Sequence, residues 1–242
     1  MKPTAAELEQ YYDTLSYFVD RLTVLWGKMG RGKTTCAVAM AYWMRDLFQL
    51  PVISVGTTIG FRDPFGPFTH MPVEDFLKQM LLISQISDEI IAENIPQDDI
   101  DNHLLWYKKE KGLKLYRCVL LFDELYKYCD ARRPHSPVNK SIQDFVAQMR
   151  HYHVTFIGMA PRMGQIDRRM REDQVHWSCR PDSDENRWYT LQFIGPDRPL
   201  TIRIYGPRYA GKYPEDPNRM FNSWAFTGFN AKLLEKALAK GI

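Results

Sequence analysis

The segment Gly27-x-x-x-x-Gly32-Lys33-Thr34 gathers three kinds of phosphate ligand in one short stretch. Gly27, Gly30 and Gly32 tolerate backbone angles that side chains forbid, so the chain can curl with its N–H groups turned inward. Lys33 adds a point charge for the outer phosphates of a nucleotide, and the Thr34 hydroxyl is a ligand for Mg2+. The expected nucleotide-binding residues are therefore Gly27, Lys28, Met29, Gly30, Arg31, Gly32, Lys33, Thr34 and Thr35. A cradle of this kind only binds; hydrolysis needs carboxylates on a neighbouring strand. Val119-Leu-Leu-Phe-Asp123-Glu124 supplies them. Asp123, at the end of an apolar run, is expected to hold the metal shell, and Glu124 to orient and deprotonate the attacking water. Two adjacent acids after a buried strand need a cationic partner, and Lys33 with a metal ion would be that partner.

Arginines form the third candidate group. Met159-Ala-Pro-Arg162 closes an apolar run, and Asp167-Arg168-Arg169-Met-Arg171 follows. An arginine that reaches a nucleotide stabilises charge in the transition state. Arg162, Arg168 and Arg171 are the catalytic candidates, with Arg169 in the same cluster; a solvated basic helix or contacts to DNA phosphates are the other readings. The six histidines share no metal-ligand spacing, and His151 and His153 read as packing or surface residues. Arg132-Arg133-Pro-His-Ser-Pro137 is a basic, proline-stiffened loop. Tyr205-Gly-Pro-Arg-Tyr-Ala-Gly-Lys-Tyr213 alternates basic and aromatic residues, a composition suited to nucleic-acid stacking or to an ordinary surface loop.

These residues must be positioned by strands and helices. Leu22 to Trp26 reads as a buried strand, and a helix runs from the glycine loop to about Leu47. Residues 4–20 show an amphipathic spacing. Pro51–Val55, Arg117–Phe122 and Val154–Gly158 read as buried strands, and Gln174–Cys179, Trp188–Ile194 and Leu200–Tyr205 as three more. Gly195-Pro-Asp-Arg-Pro199 joins the last two as a hairpin. Residues 57–72 read as an aromatic loop without period, Val73–Ile91 as a helix, Asn94–Asp101 as an acidic surface turn, and Asn102–Lys111 as a helix or hairpin. Val138–His151 and Gln165–Asp173 read as helices, and Asn230–Lys240 as a basic tail helix. The pattern predicts an α/β fold, a central mostly parallel sheet flanked by helices with antiparallel strands at one edge. The expected organisation is an N-terminal helix over 1–20, a nucleotide-binding domain over 21–205 with an insertion-like region at 57–112, and a C-terminal tail over 206–242.

Composition fits this reading. The chain has 242 residues, 45% hydrophobic and 25% charged, with a net charge of +3, ordinary values for one large α/β domain. So mild a basicity does not by itself demand nucleic acid. The four scattered cysteines suggest no zinc site, and Cys36 and Cys118 fall in expected core elements. No apolar run is long enough for a membrane span, and the first residues lack the apolar stretch of a signal peptide.

Three segments together resemble the P-loop ATPases of the FtsK/HerA superfamily, in particular zonular occludens toxin-like proteins and small viral genome-packaging ATPases. They are Trp26-Gly-Lys-Met-Gly-Arg-Gly-Lys-Thr-Thr35, Val119-Leu-Leu-Phe-Asp-Glu124, and the run from His151 through Arg171, with its Ile166-Asp167-Arg-Arg-Met-Arg171 stretch. The family's sensor glutamine has no counterpart: Pro161 takes its place, with Gln165 or Arg162 as substitutes. The resemblance implies an ATP- and Mg2+-dependent motor assembled as a hexameric or pentameric ring. Such a motor moves DNA, most readily a viral genome into a capsid, or drives phage assembly and extrusion through protein partners. The Arg132–Pro137 loop reads either as an ordinary exposed loop or, in a ring, as a segment facing a central channel and touching phosphates. Viral capsid or membrane-associated assembly proteins are implied partners. The implied location is the host cytoplasm, at a virion vertex or membrane through those partners.

Overall fold

The computed structural model describes residues 12–56, 58–61, 69–183, 188–195, 199–205 and 221–225. Its main sheet has the order β10-β9-β7-β1-β6-β5-β2-β4, with β8 pairing β9. The strands are β1 (Leu22–Trp26), β2 (Val52–Val55), β4 (Thr69–Met71), β5 (Cys118–Phe122), β6 (Val154–Ala160), β7 (Trp177–Cys179), β8 (Asp182–Ser183), β9 (Trp188–Ile194) and β10 (Leu200–Tyr205). From β7 to β4 every pairing is parallel, whereas β8, β9 and β10 are antiparallel. The expected fold class and the β9–β10 hairpin pairing are thus observed. One expectation is corrected: the strand bearing Asp123 does not neighbour β1, because β6 lies between them.

The central strands are apolar at nearly every position because both faces are covered. Successive side chains of a strand point to opposite faces. On β5, Val119 and Leu121 pack with Ala37, Met40 and Met44 of helix α1 (Lys33–Phe48), while Leu120 and Phe122 enter the opposite cluster. That second cluster is closed by α2 (Val73–Ala92), α3 (Gln97–Glu110) and α4 (Pro137–Gln148), through residues such as Phe76, Leu104 and Phe145. All four cysteines are free thiols and buried, and burial pushes each thiol pKa up.

Several boundaries differ from expectation. The supposed loop at 57–72 contributes β3 (Thr58–Phe61) and β4. β3 pairs antiparallel with β11 (Phe221–Ala225) in a separate two-stranded sheet. The acidic segment after Asn94 is the start of α3: Asp98 and Asp99 lie in its first turn, where negative charge suits the helix dipole. Of the helix expected over Gln165–Asp173, residues 168–174 are helical, widening to a π-helix at Met170–Gln174, whereas Met163–Gln165 is a 3-10 turn and Ile166 is extended. Of the N-terminal stripe, residues 12–16 are helical, and Leu15 and Phe18 are buried. Residues 1–11, the 206–213 segment and the 230–240 tail lie outside the described residues. Among those described, no helix is long and apolar enough to cross a membrane.

Candidate functional site

The glycine segment emerges from β1 as expected. Gly27, Gly30 and Gly32 have φ of 142°, 80° and 78°, all closed to ordinary side chains. Gly27 N–H donates to the Ala160 carbonyl at 3.2 Å, which fastens the loop to the end of β6. Gly32 precedes α1 in a left-handed conformation, and Cys36 N–H returns to the Gly32 carbonyl at 2.8 Å. No side chain caps α1 and no acid lies in its first turn, so its leading N–H groups point at an uncapped space suited to an anion. By contrast, α4 is capped by Ser136, whose hydroxyl accepts from Asn139 N–H at 3.2 Å, with Pro137 at the first helical position.

Asp123 and Glu124 follow β5 at the same edge of the sheet. Partial burial lowers the Lys33 pKa, while the charges of Asp123 and then Glu124 push it back up. The fold therefore brings the lysine and both acids within electrostatic range. The Lys33 ammonium donates to the Lys28 carbonyl at 3.2 Å. Glu124 sits at φ 53°; Asn94 and Arg117 adopt the same conformation elsewhere, so it carries no functional weight alone. Asp123 Oδ1 accepts from Glu124 N–H at 2.9 Å, and Lys127 Nζ donates to Glu124 Oε2. The following Leu125 lies over Gly158 of β6, where an added Cβ would sit 2.6 Å from Leu125 Cδ2. That close approach clamps the acid turn onto the sheet. Burial, then Glu124 and Asp123, also raise the Tyr128 pKa, which places this buried phenol beside the acids.

A magnesium nucleotide fits the donor chemistry. Mg2+ is held by one or two protein oxygens together with phosphates and water, and the Thr34 hydroxyl with the Asp123 carboxylate is such a set. Among the described residues no cluster of three or more His, Cys, Asp or Glu is arranged to hold a metal by itself.

The arginines divide into distinct settings. Arg162 follows β6 two residues after Ala160, exposed and, among the described residues, without an ion pair. Arg168 and Arg171 both engage Glu172, at 2.8 and 3.2 Å. Their segment is stapled to the one after Glu124. Ala131 N–H donates to the Gln165 carbonyl at 3.0 Å, Asp167 N–H to the Cys129 carbonyl at 2.8 Å, and Asp130 bridges Ile166. The staple is locked by Asn139, which is 0% exposed. Its amide Nδ2 contacts the Asp130 and Arg133 carbonyls and Asp167 Oδ2 at 3.1 to 3.3 Å, and its oxygen accepts from Gln143. Asn139→Ala is expected to destabilise the protein by about 1–3 kcal/mol, because it strands buried acceptors. A urea midpoint equal to that of the unaltered protein would contradict this.

Neither Asn139 nor Tyr128 stands out in the sequence. Arg180 was also missed. It follows β7, its guanidinium lies 6.0 Å from the centre of the Trp26 ring, and its Cγ would be 3.6 Å from a Cβ on Gly27. Only the placement of β7 beside β1 brings it to the loop. His153, by contrast, sits far from the loop, at the start of β6. There it contacts Asp20 at 3.0 Å and Asp101 at 3.3 Å.

Comparison with known proteins follows the same line. The model of the ATPase family associated with various cellular activities (AAA) matches residues 23–176. No curated protein sequence matches the chain. Similar solved structures include the N-terminal domain of zonular occludens toxin from Neisseria meningitidis, at 14% identity and TM-score 0.46, covering 77% of this chain and 94% of that one. Another is the genome packaging NTPase B204 from Sulfolobus turreted icosahedral virus 2 with ATPγS, at 12% identity and TM-score 0.49, covering 77% and 98%. A third is the pCW3 conjugation coupling protein TcpA, at 10% identity and TM-score 0.50, covering 78% of this chain and 60% of that one. At these identities the likeness is one of fold.

Proposed function

The chain belongs to the ATPase family associated with various cellular activities, and from that membership we propose that it is a Mg2+-dependent motor that couples ATP hydrolysis to DNA movement, packaging a viral genome into a capsid. The observation that supports the enzymatic part is that the loop carrying Lys33 and the turn carrying Asp123 and Glu124 leave the same ends of the parallel strands β1 and β5, within electrostatic range of one another. In this reading the loop N–H groups and Lys33 bind the triphosphate. Thr34 and Asp123 would hold the magnesium ion, which when bound neutralises charge on the outer phosphates. Glu124 takes a proton from the attacking water, after leaving its ion pair with Lys127. Arg162, exposed two residues beyond β6, would act on the nucleotide of its own subunit. Arg168 and Arg171, on an exposed turn, are the candidates for reaching a neighbour's nucleotide in a pentameric or hexameric ring.

The DNA part is supported by the three-segment resemblance and by the staple that sets Arg132 and Arg133 beside the Arg168–Arg171 turn. In a ring the exposed Arg132, Arg133 and Arg168, with the half-buried Arg171, would face phosphates. The motor would act in the host cytoplasm, at a virion vertex. The test is ATP turnover with and without double-stranded DNA. Turnover is expected to rise with DNA, and the rise to shrink as salt increases.

The second reading is an assembly or extrusion ATPase acting on protein partners, with exposed apolar residues of α2 and α3 as candidate contact groups. Ile91, Leu105 and Trp106 are exposed on α2 and α3, with Ile91 73% exposed. Exposed apolar groups of this size mark protein contacts when they are contiguous. Turnover indifferent to DNA, together with no retardation of DNA in a low-salt gel, would select this reading over the first.

A further inference from the structure

β7 runs parallel to β1 on the side away from β6, with Cys179 opposite Leu25. The residues that follow this pair are Trp26, which leads into the glycine loop, and Arg180. The Arg180 stem lies against Gly27 and its guanidinium covers the Trp26 ring at 6.0 Å. The side chain is exposed. Among the described residues it has no carboxylate partner: Asp182, two positions on, engages Arg31 of the loop instead, at 3.7 Å. A guanidinium that contacts an aromatic ring can still turn its N–H donors to another ligand, and their fork matches phosphate oxygens. Arg180 thus stands at the lip of an anion cradle, without a carboxylate partner among the described residues.

We propose that Arg180 donates to the phosphates of the nucleotide bound in its own subunit, as a second cationic contact supplied from the β7 side of the loop. This rests on the reading of Gly27–Thr35 as the phosphate loop. It adds a ligand from outside the glycine, acid-pair and arginine-cluster segments, on the flank opposite β6. Arg31 differs in having a carboxylate near it, Asp182 of β8 at 3.7 Å, which Arg180 lacks among the described residues.

The test compares binding of ATPγS and of inorganic tripolyphosphate, which lacks base and sugar, by calorimetry on the full chain. Arg180→Ala is expected to weaken both by about tenfold, and Arg180→Lys by less, because it keeps the charge but not the fork. The variants should melt with the unaltered protein, since the side chain is exposed. Loss of ATPγS affinity with tripolyphosphate binding unchanged would make Arg180 a base contact and overturn the proposal. So would unchanged binding of both ligands. Lys33→Ala run in parallel separates the two levels. If it loses binding while Arg180→Ala does not, only the Arg180 contact falls. If Lys33→Ala binds both ligands as well as the unaltered chain, the phosphate-loop reading falls, and with it this proposal.

Discussion

Lys33→Ala is expected to lower ATP turnover by ~10²-fold or more, the scale seen when a preorganised charge donor is removed from a reacting centre. A phosphate-release assay on the purified variant measures it, and turnover within twofold of the unaltered enzyme would remove Lys33 from the site. The same substitution has an opposite effect on the empty protein. Burial lowers the Lys33 pKa, and the attraction of Asp123 and Glu124 only partly offsets this. A lysine with a depressed folded pKa favours folding fully only above its ordinary value of 10.5; that contribution is lost as pH falls through the folded pKa. At neutral pH the charged ammonium is therefore a net cost to the unliganded fold. Lys33→Ala should melt no lower than the unaltered chain without nucleotide, and should gain less from adding it. A variant that is inactive yet no less stable separates loss of chemistry from loss of structure.

Glu124→Gln is the second large effect. The amide keeps the shape of the side chain but cannot accept the proton of the attacking water, so turnover should fall by about 10²–10⁴-fold. Binding should persist, because the loop N–H groups and Lys33 are untouched. Single-turnover hydrolysis, together with a titration of fluorescent ATP analogue, tests both halves. Full hydrolysis would assign the base elsewhere. Lost binding would show that the acid turn supports the loop rather than the water.

The legible parts of the fold share one cause. β1, β5 and β6 are buried on both faces, so each writes a continuous apolar run into the sequence, and the acids at the end of β5 stand out against it. Strand order leaves no such trace: nothing in the composition of β6 says that it separates β1 from β5. The start of α3 was misjudged because acidity was taken for a surface turn, when Asp98 and Asp99 after Pro96 are a helix beginning. The 165–173 segment was misjudged because its conformation is set by partners far away in sequence, Asp130, Cys129 and Asn139. Arg180 was invisible for the same reason. Its neighbours Trp26 and Gly27 are met only through sheet pairing.

The staple around Asn139 has a mechanical meaning. Because the turn after Glu124 and the arginine turn share backbone bonds and a buried amide, they form a single lever rather than two independent arms. In the proposed motor, a shift of the carboxylates as the terminal phosphate departs would be carried through these bonds to Arg168 and Arg171 without a separate messenger, and so to the surface one subunit would present to the next.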